Sequence, residues 1–459
     1  MTDPPHIAVI DIGKTNAKLA LVDLETLCER AVVTRPNTVL PGPPWPHFDV
    51  EGHWAFLLDA LGRFQRDHRV DGISVTTHGA SAALLDGAGA LAAPVLDYEH
   101  TGPDTCTEAY DAIRPTFAET GSPRLGMGLN LGAQLFWQFG QDPGLLARTR
   151  HVVTYPQYWG HRLTGIASTD VTSLGCHTDL WNPHAQAFSS LVDRLGIRDK
   201  IAPARESGDI LGPILPGIAA ATGLSPATPV VCGIHDSNAS LLPHIIARQS
   251  PFAVVSSGTW VIVMAVGGDT VSLDPARDTL INVSALGQPV PSARFMGGRE
   301  YEVIRQGVAS EPTGADVGQV LKDEVMLLPA VEPGCGPFRG ARMRWAPVEP
   351  AVGSGRRDVA LAYYLALMTA ECLKMTGARG DIVVEGPFAR NRQYLQMLET
   401  AARRPVTGSD SMTGTSTGAA MLFRRTRAEK LHQAVSTPPG DTAMARYAAK
   451  WLNLVNSAT

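Results

Sequence analysis

The chain has 459 residues, 44% apolar and 18% charged, with a formal charge of −5. That length suggests two or three domains. No basic block argues for nucleic acid and no acidic tail for a solvating arm, and no apolar run reaches the roughly 20 residues needed to span a bilayer.

Six cysteines, Cys28, Cys106, Cys176, Cys232, Cys335 and Cys372, are scattered without a C-x-x-C pair. This points away from metal and disulfide frameworks and towards a reducing compartment. The opening MTDPPHIAVI lacks the basic start and long apolar core of a signal peptide. A cytoplasmic protein is expected.

Ile7 to Asp23 holds two apolar runs, Ile7–Ile10 and Ala17–Val22, around a polar turn, which predicts a β-hairpin. Its tip carries Asp11, Gly13, Lys14, Thr15 and Asn16. Backbone N–H groups and hydroxyls there can hold phosphate oxygens while the acid positions a metal ion. A solvated hairpin tip has the same composition. The proline-rich stretch from Arg35 to Gly52 reads as a loop. Trp54, Leu57, Leu58, Leu61 and Phe64 have helical spacing, predicting a helix over 54–66. Val70–Thr76 reads as a strand ending in Thr77-His78-Gly79-Ala80-Ser81. Small polar residues at a strand end suit ligand binding in α/β folds and equally suit a plain turn.

Ala82–Leu85 and Ala90–Leu96, around Asp86-Gly87-Ala88-Gly89, predict a second hairpin. Asp97-Tyr98-Glu99-His100 then fits a polyol pocket or a solvated loop. Leu131–Phe139 reads as a helix, and Tyr155, Tyr158, Trp159 and His161 read as core. Pro229 opens a strand that ends in Gly233-Ile234-His235-Asp236-Ser237-Asn238-Ala239. Phe252–Val255, Ser256-Ser257-Gly258-Thr259-Trp260 and Val261–Val266 repeat the opening layout of strand, polar turn and strand. Two halves sharing one plan are expected, with the boundary inside 241–250 and domains of 1–245 and 246–459.

Gly267–Gly298 reads as loop-rich. Asp358–Met375 predicts a helix and Asp381–Val384 a buried strand. Glu385-Gly386-Pro387-Phe388-Ala389-Arg390-Asn391 leads into a helix over Gln393–Ala402. Gly414–Ala420 is a run of small residues before another helix. It fits a slot for a purine, or close helix packing.

There is no G-x-x-x-x-G-K-[ST] stretch, so two looser phosphate cradles stand out, the opening hairpin and Ser256–Thr259. Asp236, after a strand and among small residues, can take the proton of an attacking hydroxyl. It can also be a helix N-cap. His235 reads as a packed histidine.

DIGKTN at 11–16, GIHDSNAS at 233–240, SSGTW at 256–260 and EGPFARN at 385–391 occur in that order. Together they resemble the FGGY carbohydrate kinases, relatives of actin, hexokinase and the heat-shock-70 ATPases. The His235-Asp236 pair and SSGTW are closest in wording to L-rhamnulose and L-fuculose kinases. The resemblance implies an α/β fold of two actin-like (ribonuclease H-like) domains with a cleft for sugar and MgATP. It implies an ATP-dependent kinase that phosphorylates a ketose, at O1 in those two branches. Asp236 would be the general base, and Asp11 and Asp236 would hold Mg²⁺. Gly13, Lys14, Thr15 and Asn16 would form one phosphate turn, and Ser257, Gly258 and Thr259 the other. Gly386, Asn391, Gly414 and Thr415 would border the adenosine. Thr77, His78, Gly79, Asp97, Tyr98, Glu99, His235 and Asp236 would face the sugar. A homodimer is compatible with this family; nucleic-acid or membrane partners are not implied. A pentulose or polyol kinase, or a sugar or nucleotide sensor on the same fold, are the alternatives. Pro387 stands where family members often carry a second glycine, THGAS fits no single branch, and LDYEHTG differs from the Trp-Asp-x-Arg pattern of several branches.

Overall fold

The computed structural model describes residues 5–308, 310–409, 414–424 and 442–457. It divides into two compact units. The first runs to Ala247 and takes in residues 281–289 and 414–424; the second begins at Arg248 and holds the rest.

In the first unit the strand His6–Ile12 pairs antiparallel with Asn16–Asp23, placing Asp11 opposite Lys18. On its other side it pairs parallel with Gly72–Thr77, placing Asp11 opposite Thr76. The strand Ile234–His235 runs parallel along the far edge of Gly72–Thr77, with His235 opposite Thr77. Asp11, Thr77 and His235 therefore stand together where parallel strands end, the position at which α/β sheets present ligand-binding residues. The helix Val50–His68 covers this sheet with Leu57, Ala60, Leu61 and Phe64 buried. Each large apolar side chain so buried contributes roughly 1.5–3 kcal/mol. Asp49 caps the helix by accepting the Gly52 N–H at 3.0 Å.

The second unit repeats the plan. Phe252–Ser257 pairs antiparallel with Val261–Val266 and parallel with Asp381–Glu385, which in turn pairs parallel with Val406–Gly408. The Ala- and Leu-rich helix Gly355–Met375 is capped by Ser354 and buried along most of its length. Its core partners include Val255, Val263, Ile382 and Tyr394. Among the described residues, no helix is long and apolar enough to cross a membrane.

Two sequence expectations are corrected. The turn at Asp86–Gly89 forms, with the Asp86 N–H donating to the Ala90 carbonyl at 2.8 Å. Its second arm, 90–96, is not a strand; Ala82–Leu85 pairs instead with His151–Thr154. Pro94 cannot donate to a ladder, whereas Val152 and Val153 suit a pleated, buried surface. The stretch Gly267–Gly298 is not mainly loop. It contains the strands Thr279–Val283 and Pro289–Phe295, joined by a turn in which Gly287 takes a φ of 73°.

Candidate active site

The turn after Asp11, expected to hold phosphate, is shaped by short local bonds. The Gly13 N–H donates to the Asn16 carbonyl at 2.9 Å. Asn37 holds the turn from outside: its N–H donates to the Thr15 carbonyl at 2.8 Å, and its side-chain amide donates to the Gly13 carbonyl at 2.8 Å. His53 sits behind Asn37, with Nε2 2.7 Å from its Oδ1. Burial and the adjacent Arg35 bring His53 down to about 4, so it is neutral. Its Nδ1 accepts from Arg35, and Nε2–H donates to Asn37. Thr15 and Asn16 are exposed at the tip. Asn37 and His53 lie in and after the proline-rich loop and have no motif that would single them out.

Asp11 stands just before this turn. Burial raises its pKa, and the charge of Asp236 adds to that, against the Thr415 hydrogen bond and Lys18. Lys18 Nζ lies 3.3 Å from its carboxylate, and the Thr415 hydroxyl donates to it. Thr415 belongs to a short helix, Thr415–Ala420, that packs in the first unit. Gly418 is essential to that packing, since a Cβ there would lie 1.8 Å from the Ala239 carbonyl oxygen.

The residues expected to face a sugar gather on the same unit. His78 is ringed by Phe48, Tyr98 and Tyr155, each with ring centres 5.0 Å from its own in the case of Phe48, Tyr98 and Tyr155. Burial lowers its pKa to about 4. Its Nδ1 meets the Gly79 carbonyl at 2.8 Å and so carries the proton. That leaves Nε2 a buried acceptor with no protein partner among the described residues, a group that suits a ligand hydroxyl. Gly79 allows close approach: a Cβ there would lie 2.8 Å from His235 Nε2. The Thr77 hydroxyl donates to the His78 carbonyl.

His235 Nε2 lies 3.1 Å from Asp236 Oδ1 and 3.5 Å from the Cys176 sulfur. Burial alone would lower its pKa, but Cys176 and Asp236 outweigh that and raise it. The packed histidine is thus also a charged neighbour of the acid. Asp236 opens the helix Asp236–Ala247. Its Oδ1 accepts the Ser237 N–H at 2.6 Å, and the side chain stays 31% exposed. It is bonded to its neighbour's N–H and is still an accessible carboxylate.

The second turn lies in the second unit. Gly258 N–H donates to the Trp260 carbonyl at 2.9 Å, a turn one residue tighter than the one closed by Gly13. Ser257 is committed to the fold: its hydroxyl accepts the Phe388 N–H at 3.0 Å and donates to the Glu385 carbonyl at a normal-to-short distance of 2.5 Å. Gly386 has a φ of 80°, and a Cβ there would lie 1.9 Å from the Ser257 carbonyl oxygen. Pro387 begins a 3-10 turn, where its missing N–H costs little. Asn391 caps the next helix, accepting the Tyr394 N–H at 3.0 Å.

Gly258, Thr259, Pro387 and Asn391 border a cavity of about 580 Å³ together with Tyr301 and Phe388. That size suits a small-molecule ligand. The two rings, 5.8 Å apart, offer an apolar wall for a flat heterocycle. Tyr301 and Arg305 come from the helix Gly297–Arg305, which begins at the end of the stretch read as loop-rich and carries no motif that singles them out. Gly414 and Thr415 are placed on the first unit, beside Asp11, and not among the residues bordering this cavity.

The N-terminal domain model of the FGGY family of carbohydrate kinases matches residues 6–243, and the C-terminal domain model of carbohydrate kinase FGGY matches 249–432. An L-fuculokinase from Salmonella typhi is 25% identical over 91% of each chain. A solved carbohydrate kinase from Novosphingobium aromaticivorans is 35% identical over 99% of each chain, with a TM-score of 0.90. A xylulose kinase from Lactobacillus acidophilus shares the fold, at 15% identity and a TM-score of 0.77 over 99% of this chain and 98% of its own.

Proposed function

The chain belongs to the FGGY family of carbohydrate kinases, ATP-dependent phosphotransferases, and we propose that its acceptor is a 6-deoxy-ketohexose such as L-fuculose or L-rhamnulose, phosphorylated at O1. The observation that carries the chemistry is Asp236, an accessible carboxylate beside Gly79 and the unpartnered His78 Nε2. As the acceptor oxygen bonds to the γ-phosphorus, Asp236 takes the hydroxyl proton. The bond from that phosphorus to the bridging oxygen breaks, and ADP leaves. His235 fixes the orientation of the Asp236 carboxylate through Oδ1. General-base assistance of this kind contributes about 10²–10⁴-fold.

In this reading Gly13, Thr15 and Asn16 form one phosphate-binding turn, and Gly258 and Thr259 another, each offering backbone N–H groups and hydroxyls. The cavity beside Gly386, Asn391, Tyr301 and Phe388 takes the adenosine. Residues up to 245 then serve the sugar, and most nucleotide contacts come from 246 onwards. Asp11 and Asp236 suit Mg²⁺, which accepts one or two carboxylates alongside phosphate and water oxygens. Burial and the nearby Asp236 charge make the Asp11 carboxylate costly to ionise, and a cation offsets that cost. Bound Mg²⁺ would supply charge neutralisation for the transferring phosphoryl group.

Similarity to L-fuculokinase over nearly the whole chain supports the choice of sugar. The test is ADP release measured over a panel of 6-deoxy-ketohexoses, pentuloses and polyols. The highest kcat/KM is expected for a 6-deoxy-ketohexose, with phosphate on O1 by NMR. A pentulose or polyol turned over more efficiently would refute that choice.

A further inference from the structure

Lys14 belongs to the first phosphate turn, yet its side chain is turned to the loop at 97–99. Its ammonium pairs with Asp97 and lies 3.0 Å from Glu99 Oε2. It also stands 4.8 Å from the centre of the Tyr98 ring and 5.5 Å from that of Phe48. The Glu99 N–H donates to the same Asp97 oxygen at 3.2 Å. One cation therefore gathers two carboxylates and two ring faces, and those rings are the ones that surround His78.

Two carboxylates against one ammonium leave the cluster with a surplus of one negative charge. To reach a phosphate, Lys14 would have to leave both acids and both rings. Bringing the phosphate to Lys14 instead would set it against the acidic surplus, and like charges at such distances repel strongly in a half-buried site. Asp97 Oδ2 and Glu99 Oε1 accept no hydrogen bond among the described residues. They are free for hydroxyl donors.

We infer that Lys14 is a sugar-positioning residue and not an ATP ligand: it fixes the Asp97–Glu99 loop in a shape that accepts neutral, polyhydroxylated acceptors and rejects those carrying a carboxylate or phosphate. The inference rests on the kinase reading above. Attraction of hydroxyls and repulsion of anions by one cluster is how a site discriminates among similar ligands.

The test uses the full chain with Lys14→Met and Lys14→Arg. Affinity for a non-hydrolysable ATP analogue with Mg²⁺, measured by calorimetry, is expected to stay within about twofold of the original in both. KM for the best sugar of the panel should rise about tenfold or more in Lys14→Met, the scale of a lost charge-assisted bond, with kcat changing far less. Lys14→Arg should recover most of it. A loss of about tenfold in nucleotide affinity, with sugar KM unchanged, would overturn the inference. If Lys14→Met does not fold, Glu99→Gln replaces the more exposed partner and faces the same two measurements. If no sugar is phosphorylated by the original protein, the choice of acceptor fails, while the nucleotide arm still decides whether Lys14 binds ATP.

Discussion

The Asp11 carboxylate accepts the hydroxyl of Thr415, a residue 404 positions further along the chain. The contact ties the acid proposed to hold Mg²⁺ to a short helix late in the sequence. Thr415→Val keeps the shape and removes the bond. Partners of metal-binding side chains are worth about 10–100-fold in metal affinity. We expect the Mg²⁺ concentration for half-maximal activity to rise about tenfold, with near-normal kcat at saturating Mg²⁺. An unchanged Mg²⁺ titration would show that Thr415 does not position Asp11.

Gly418→Ala should be the most damaging small change in that helix. Its Cβ would stand 1.8 Å from the Ala239 carbonyl oxygen, and Ala239 lies one turn into the helix that Asp236 opens. Backbone must move, and overpacking of this kind costs about 1–3 kcal/mol. Thermal unfolding should shift down by several degrees, on the order of 2–8 °C. Gly414→Ala is the control, because a Cβ there meets nothing within 4 Å. Equal melting temperatures for the two variants would contradict the packing.

Much of this site is written locally. Each phosphate turn follows an apolar run and precedes another, so the strand–turn–strand plan of both units is legible from alternation of residue types. Gly386 sits where a positive φ and a close Ser257 carbonyl admit only glycine, and Asp236 sits at a strand end. What the sequence hides are pairings made at long range. Lys14 finds Asp97 across 83 positions, Thr415 finds Asp11 across 404, and no local period encodes either. Asn37, in the proline-rich loop, and His53, in the helix that follows it, support the first turn with no motif to mark them. Residues 82–85 form their ladder with the distant 151–154, while the neighbouring 90–96 makes only a single bridge with them, Leu85 to Leu91, and Pro94 cannot donate to a ladder.

Asp236→Asn should keep nucleotide binding and lose about 10²–10⁴-fold in kcat. The amide preserves the size of the side chain and an oxygen for the Ser237 N–H, but it cannot accept the acceptor's proton at neutral pH. Stopped-flow or steady-state ADP release checks the rate, and calorimetry with an ATP analogue checks the binding. Turnover within a few-fold of the original would remove Asp236 as the base.

Glu300 gives the second unit a pH-dependent element of stability away from the catalytic groups. It is fully buried, accepting the Glu332 N–H at 3.1 Å and the Tyr364 hydroxyl at 3.0 Å. Burial pushes its pKa up to about 7, over the opposing effect of those two bonds. The folded state therefore holds this proton more tightly than the unfolded chain, whose carboxyl has the ordinary value of 4.5. The associated stability is fully present below 4.5, falls as pH rises, and is lost above about 7. Glu300→Gln removes the titration and keeps an oxygen for the Glu332 N–H. Its stability relative to the original protein should improve by on the order of 3 kcal/mol between pH 4 and pH 8. Urea unfolding of both proteins at the two pH values measures that difference. A difference that does not change with pH would mean that Glu300 ionises as readily in the fold as in the unfolded chain.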